Sequence, residues 1–402
     1  MSYERRLLVF LSVASFFEGY DYLALAQLLP NVRAEFGLSR VEGASMVGVI
    51  NLGTMVAYLL IRKADAVGRR RVLTWTIAGY TLASLVSGLA TTAVTFALAQ
   101  LVARVFLTAE WAVALVMAAE EFPAERRGSA LGIIQASASL GSIACAGLVP
   151  LLVRLPWGWR TVYFVGAVPL VLLAFARRNM RETRRFEAVS TQGAPPRPVT
   201  AILRGPHARR VWLLAAIWAT TYVCTHNAVT FWKEFAMEER GLSEAAVGTS
   251  ITIAAVGSIP LSFLSGRMLD RIGRRAGAVV IFLATSAGVF GAYALHGQVA
   301  LTAALVVGIF GTTAVLQVLN AFTTELFPTE QRADAFAWCN NLLGRVGFVA
   351  SPFAVGVMAE RWGWGAAVQV TALFPLVALA LILAKLPETR GRELEELVGE
   401  RT

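Results

Sequence analysis

Long apolar stretches separated by short polar ones dominate the chain. Apolar runs fall at 7–29, 43–61, 72–90, 94–119, 129–153, 160–176, 210–232, 245–266, 276–295, 299–324, 335–359 and 365–384. Each matches the ~20 residues that cross a hydrocarbon core of ~30 Å at 1.5 Å per residue. The pattern predicts an all-α integral membrane protein of twelve transmembrane helices.

Composition agrees. Of 402 residues, 56% are hydrophobic and 15% charged, against about 25% charged in soluble domains, and the mean hydropathy is +0.62. A net charge of +10 could suggest a nucleic-acid partner, but the placement of the basic residues argues otherwise. If every run crosses once and the N-terminus is cytoplasmic, most Lys and Arg fall on the cytoplasmic side, as the positive-inside rule requires. Both termini are then cytoplasmic. Arg5 and Arg6 precede a first run too long for a signal-peptide core and without a clear small-residue cleavage site, so it is expected to stay as span 1. Cys145, Cys224 and Cys339 sit far apart inside runs, without ligand spacing, and read as small packing residues rather than a disulfide or metal site.

The sequence repeats itself at one offset of 205 residues. Asp65, Gly68, Arg69 and Arg70 recur as Asp270, Gly273, Arg274 and Arg275. Phe122, Pro123, Glu125 and Arg127 recur as Phe327, Pro328, Glu330 and Arg332, and Trp157-Gly158-Trp159 recurs as Trp362-Gly363-Trp364. Glu182-Thr183 and Glu388-Thr389 echo each other one residue out of register. The chain therefore divides into a six-helix bundle over 1–176, a cytoplasmic linker over 177–210 containing "QGAPPRP", a second bundle over 211–385 and a cytoplasmic tail over 386–402. An even number of spans per half makes the repeat parallel, a plan typical of alternating-access transporters.

On these residues the chain resembles the major facilitator superfamily along its whole length. The family's loop motif, G-x-x-x-D-x-x-G-R-R/K, is complete at Gly266, Asp270, Gly273, Arg274 and Arg275; the first copy has Ile61 in place of its leading glycine. Arg104, the Glu110-Trp111 pair and the run Glu120-x-x-Pro123-x-x-x-Arg127-Gly128 resemble span 4 of the metabolite–proton symporters. "EGYD" at 18–21 resembles the D-G-x-D signature of the aromatic-acid–proton symporters, with Glu18 replacing the first Asp. "LPETRGR" from Leu386 resembles the tail of the sugar and organic-ion branches. The drug exporters' Gly-Pro pair in span 5 is absent from "ASLGSIACAGLVP" at 138–150.

Charge inside a span usually faces a wet cavity or a partner. Glu18 and Asp21, three residues apart, share a helical face, and two close carboxylates in a low dielectric do not both ionise easily. They are candidate proton carriers, with Glu110 and His226; the repeat aligns Asp21 with His226, so both are expected at the central cavity. Arg104 and Arg345 are candidate anion-binding residues, each able to form a bidentate pair with a carboxylate. Tyr20, Tyr22, Gln135, Asn227, Gln317 and Asn341 are candidate cavity-lining residues. Each also has a bland reading: a fixed ion pair, a satisfied buried His, an interfacial aromatic. At the loop motifs, Arg69, Arg70, Arg127, Arg274, Arg275 and Arg332 can bridge to Asp65, Asp270, Glu120, Glu121 and Glu325, with Gly68, Gly266 and Gly273 shaping the turns. Such clusters would close a cytoplasmic gate in one state and break in another.

The expected function is proton-coupled import of a small organic acid or related polar metabolite, by a cell-membrane protein working as a monomer. A proton-driven exporter, a sugar-type facilitator and a non-transporting nutrient sensor are the alternatives. The sequence offers no nucleophile–base pair, nucleotide-binding glycine loop or metal cluster, so neither an enzyme nor a cofactor other than the proton gradient is expected. Lipid, protons and one small molecule are the expected partners.

Overall fold

The computed structural model describes residues 3–167, 201–328 and 331–390. Most of the linker, Glu182-Thr183, Glu330, the end of the sixth run and the tail beyond 390 lie outside the described residues, as do the side chains of Asp65, Glu125 and Arg127. The described residues are helical almost throughout. The helices are α1 Tyr3–Phe36, α2 Arg40–Val67, α3 Arg69–Gly88, α4 Ala93–Glu121, α5 Ala124–Leu152, α6 Ala201–Arg204, α7 Ala208–Thr230, α8 Trp232–Glu238, α9 Glu244–Ile272, α10 Arg274–Ala294, α11 Gln298–Glu325, α12 Arg332–Phe336, α13 Arg345–Thr371 and α14 Phe374–Lys385. Residues 160–167 are also helical. Eight stretches are long and apolar enough to cross a membrane, the last being a 52-residue run over Asp334–Lys385 that bends at Gly363. The predicted spans at 72–90 and 210–232 form α3 and α7 but fall outside those eight. Large apolar side chains such as Phe263 (74% exposed) and Val299 (85%) face outward, as lipid contact requires.

Chain contacts divide the molecule into two compact units, Met1–Leu38 with Val49–Pro196, and Ser39–Gly48 with Arg197–Thr402. The sequence division differs at 39–48, which cluster with the second unit. The Arg40 side chain donates to Glu238 at 2.9 Å and to the Ala359 carbonyl at 3.0 Å, and its backbone N–H donates to Glu360. Ala44 lies against Gly356, and Gly48 against the Phe353 ring.

Small residues set the helix crossings. In the first unit α1 meets α5 where Gly19 faces the Ala138 carbonyl and Gly141 the Phe16 carbonyl, with no room for a Cβ at either. In the second, Gly347 of α13 lies against the Ala219 carbonyl of α7. Close backbone approach of this kind replaces the hydrophobic drive that lipid cannot supply.

The repeated motifs become repeated structure. Gly68 and Gly273 occupy N-cap positions with φ of 110° and 99°, left-handed conformations that favour glycine. The W-G-W copies are each held by an acid from the end of the unit's first span. Glu35 accepts from Trp159 Nε1 and pairs with Arg160 at 2.7 Å. Glu239 accepts from the backbone N–H groups of Trp364 and Gly365 just beyond the bend at Gly363. One stretch departs from the predicted helix: residues Ala337–Gly344, inside the run 335–359, form a π-helix. Gly344 there packs against Trp218, with 2.7 Å between the Trp218 Cβ and the place a Cβ of its own would take.

Glu239→Ala strands two N–H groups at a helix start, a loss of about 1–3 kcal/mol. The expected outcome is a lower unfolding temperature of the detergent-solubilised protein in a thermal melt. An unchanged melting curve would contradict this role.

Candidate functional site

Each unit carries its own polar centre within the spans. In the first, Gly19 sits at the α5 contact, so the flanking acids of "EGYD" turn away from α5. Asp21 is 7% exposed, and its Oδ2 accepts a hydrogen bond from Ser84 Oγ of α3 at 3.0 Å. Its Oδ1 is buried, accepts no hydrogen bond among the described residues, and lies 2.9 Å from where a Cβ on Gly166 would be. Glu18 is only partly buried. Arg104 of α4, 6% exposed, is electrostatically coupled to both acids and lays its guanidinium 4.9 Å from the centre of the Tyr22 ring. The Tyr20 hydroxyl donates to the Val162 carbonyl. Glu110 is buried on α4, six residues from Arg104 and off its face. Gln135 is exposed on α5.

In the second unit α7, the π-helix and α13 build an aromatic wall around a cation. The Arg345 guanidinium lies 5.2 Å from the Tyr222 ring centre and 4.9 Å from that of Phe348. His226 stacks on Phe348 at 3.9 Å between ring centres. The Tyr222 hydroxyl donates to Asn340 Oδ1 at 2.6 Å, and Asn227 Nδ2 donates to Ser351 Oγ at 2.8 Å. Tyr222 and His226, one turn apart on α7, thus share one face. π-Helical turns gather at functional sites, and here one carries Asn340 to Tyr222 and ends beside Arg345.

Asp21 and His226 align in the repeat but do not have equivalent neighbours. Asp21 faces α3 and the 160–167 helix, whereas His226 faces α13. Gln317 belongs to neither centre: its Oε1 accepts from Ser265 beside Gly266, at the contact of α9 and α11. Asn341 is half-buried, and it is Asn340 that makes the bond to Tyr222.

Sequence reasoning missed several groups. Ser84 lies in an apolar run on another helix, with no motif around it. Phe348 could have been found, three residues after Arg345 on one helical face. Lys233, 1% exposed, pairs with Glu244 at 2.6 Å beside the equally buried Glu234, at a place where the first repeat has Leu28 and Leu29.

The loop motifs match across the units. Arg69 pairs with Glu120 at 3.1 Å and donates to the Ala64 carbonyl; Arg274 pairs with Glu325 at 3.0 Å and donates to the Leu269 carbonyl and to Asp270. Arg70 and Glu121 flank the first pair, and Arg332 lies at the start of α12. The tail completes the second cluster. Glu388 accepts from the backbone N–H groups of Arg274 at 2.8 Å and Arg275 at 2.9 Å, Thr389 donates to Glu325, and Arg275 reaches the Leu383 carbonyl.

The family model of the Major Facilitator Superfamily matches residues 11–233 and 222–400. A probable 4-methylmuconolactone transporter of Cupriavidus pinatubonensis is 26% identical over 392 residues, covering 95% of this chain and 90% of its own length. A cis,cis-muconate transport protein of Acinetobacter baylyi is 25% identical, covering 88% and 87%. Among solved structures, a D-xylose-proton symporter superposes with a TM-score of 0.77 at 16% identity, covering 97% of this chain and all (100%) of that one. The chain belongs to the Major Facilitator Superfamily. It is a multi-pass membrane transporter and not an enzyme.

Glu388 supplies a pH test of the tail contact. Burial pushes its carboxyl up, but the N–H groups of Arg275, Arg274, Arg390 and Thr389 outweigh that and hold it below the usual carboxylate range. A depressed folded value contributes stability that is present above the unfolded value and lost as pH falls through the folded one. Glu388→Gln should therefore lower the melting temperature near neutral pH, the gap to wild type closing below about pH 4. Equal melting temperatures at neutral pH would disprove the contact.

Proposed function

We propose that the protein imports a small organic acid, with unsaturated or aromatic carboxylates foremost, by proton-coupled alternating access. The observation that carries this reading is the Arg345 guanidinium held against the Tyr222 and Phe348 rings. A flat cation with ring faces beside it suits a planar carboxylate, which can pair with the guanidinium and stack on the rings. The substrates for which the two relatives are named, 4-methylmuconolactone and cis,cis-muconate, are small, unsaturated and acid-derived. Arg104 beside Tyr22 repeats the motif in the first unit as a second contact for the anion.

Asp21 is the proton carrier in this reading, because it is a buried carboxylate whose hydrogen-bond donor, Ser84, is uncharged. Glu18, Glu110 and His226 are secondary carriers, and Tyr20 and Asn227 support the centres. The Arg69–Glu120 and Arg274–Glu325 clusters act as the cytoplasmic gate. Twelve spans, cytoplasmic termini, a place in the cell membrane and action as a monomer complete the proposal. The pH gradient is the sole energy source, lipid is the surrounding partner, and neither cofactor, metal nor nucleic acid takes part.

The test is uptake of labelled cis,cis-muconate and gallate into proteoliposomes, with and without an inward proton gradient. Wild type should accumulate substrate only with the gradient. Asp21→Asn should lose accumulation while keeping counterflow, and Arg345→Lys should raise KM about tenfold through loss of the planar fork. Gradient-independent uptake by wild type would favour a facilitator; full coupling in Asp21→Asn would remove the proposed carrier.

A further inference from the structure

The Asp21 carboxyl has two unlike oxygens. Oδ2 accepts from Ser84 at 3.0 Å, while Oδ1 is buried, accepts no hydrogen bond among the described residues and abuts Gly166. Ser84 itself is fully buried on α3. At Gly166 a Cβ would stand 2.9 Å from Oδ1, closer than carbon and oxygen normally approach, so the absence of a side chain there makes room for the carboxyl.

We propose that Ser84 is a positioning residue for proton coupling: it fixes Oδ2 of Asp21 and leaves Oδ1, in the space beside Gly166, as the oxygen that takes the proton. This rests on the reading of Asp21 as proton carrier and adds which oxygen is loaded and what holds the group while it loads. A hydroxyl that donates to a carboxylate favours its ionised form, and it can still donate to the carbonyl oxygen of the protonated acid. Ser84 therefore tunes the pH of loading without being titrated itself. The titratable and charged groups around Asp21 are Glu18 and Tyr20 on α1, Arg104 on α4, Cys145 on α5 and Tyr163 on the 160–167 helix. From α3 the group that touches the carboxylate is the uncharged Ser84.

The aligned positions in the second repeat are Val289 and Thr371, for Ser84 and Gly166 respectively. The aligned positions thus do not repeat this carboxyl pocket, as expected if Asp21 is the main carrier.

Infrared difference spectroscopy of the full-length protein in liposomes, titrated across about pH 4 to 10, tests this without knowledge of the substrate. The carboxylic C=O band that disappears in Asp21→Asn reports Asp21. In Ser84→Ala that band should move to higher wavenumber, because its carbonyl loses a donor. Its titration midpoint should rise by about one pH unit, the worth of a hydrogen bond to a charged group. Ser87→Ala is the control: Ser87 is equally buried on the same helix but bonds to Gln100 at 2.9 Å, and its loss should leave the Asp21 band in place. Gly166→Ala should displace the same band by crowding Oδ1. An Asp21 band that titrates but ignores Ser84→Ala, or moves as far in Ser87→Ala, overturns this inference and spares the carrier role of Asp21. A wild type with no band lost in Asp21→Asn overturns both.

Discussion

Removing a charge from water inside a bilayer costs at least ~2.5–3.5 kcal/mol on insertion scales, and an unpaired backbone group there costs several more. Much of this architecture follows from meeting that cost helix to helix. Asp21 is met by Ser84 of α3, Lys233 by Glu244 of α9, and Arg345 by the faces of Tyr222 and Phe348. These contacts need close helices, and close helices need crossings without side chains, which Gly19, Gly141 and Gly347 provide. The glycines that appear to carry no chemistry therefore hold the charged groups at the distances their chemistry requires.

The two repeats agree at their ends and part company in their middles. At the loop motifs the match extends to single atoms: an arginine at the start of a helix reaches a glutamate 51 residues on, and a carbonyl five residues back. At mid-span, Asp21 and His226 occupy aligned positions yet meet different helices. The loop clusters hold a turn and a helix end together, a task common to both units. In the proposed function the mid-span residues serve the transported species, and nothing in that task requires two identical halves.

Much of this was legible in the sequence. Apolar runs located the helices, because period and length suffice where every backbone group must bond within its own segment. The fixed offset revealed the duplication, and charges inside apolar runs pointed to Asp21, Arg104, His226 and Arg345. What was hidden depends on how each helix is rotated. A repeat aligns residues along the chain but not around the helix axis, so it does not say which helix Asp21 or His226 faces. Ser84 was invisible because one serine in an apolar run looks like a packing residue until its partner is known. The π-turn at Ala337–Gly344 was hidden too, since one extra residue per turn leaves hydropathy unchanged. Gln317 shows that polarity in a span also arises where two helices bond to each other, here through Ser265.

Under the proposed function, the same geometry explains why the proton and anion roles suit different units. A carboxylate gripped by a guanidinium stays ionised, so a proton carrier works best where its closest donor is uncharged. An anion site needs the reverse, a permanent cation whose N–H edge can pair with a carboxylate. Ser84 gives Asp21 an uncharged donor, and the rings of Tyr222 and Phe348 orient Arg345 without neutralising it. Arg104, buried in the same unit as Glu18 and Asp21 and resting on Tyr22, bears on both demands. An anion that engaged Arg104 would weaken its hold on the ionised carboxyls and so favour protonation. If Asp21 carries the proton as proposed, coupling reduces to competition for one guanidinium, with Ser84 setting the pH at which the competition is decided.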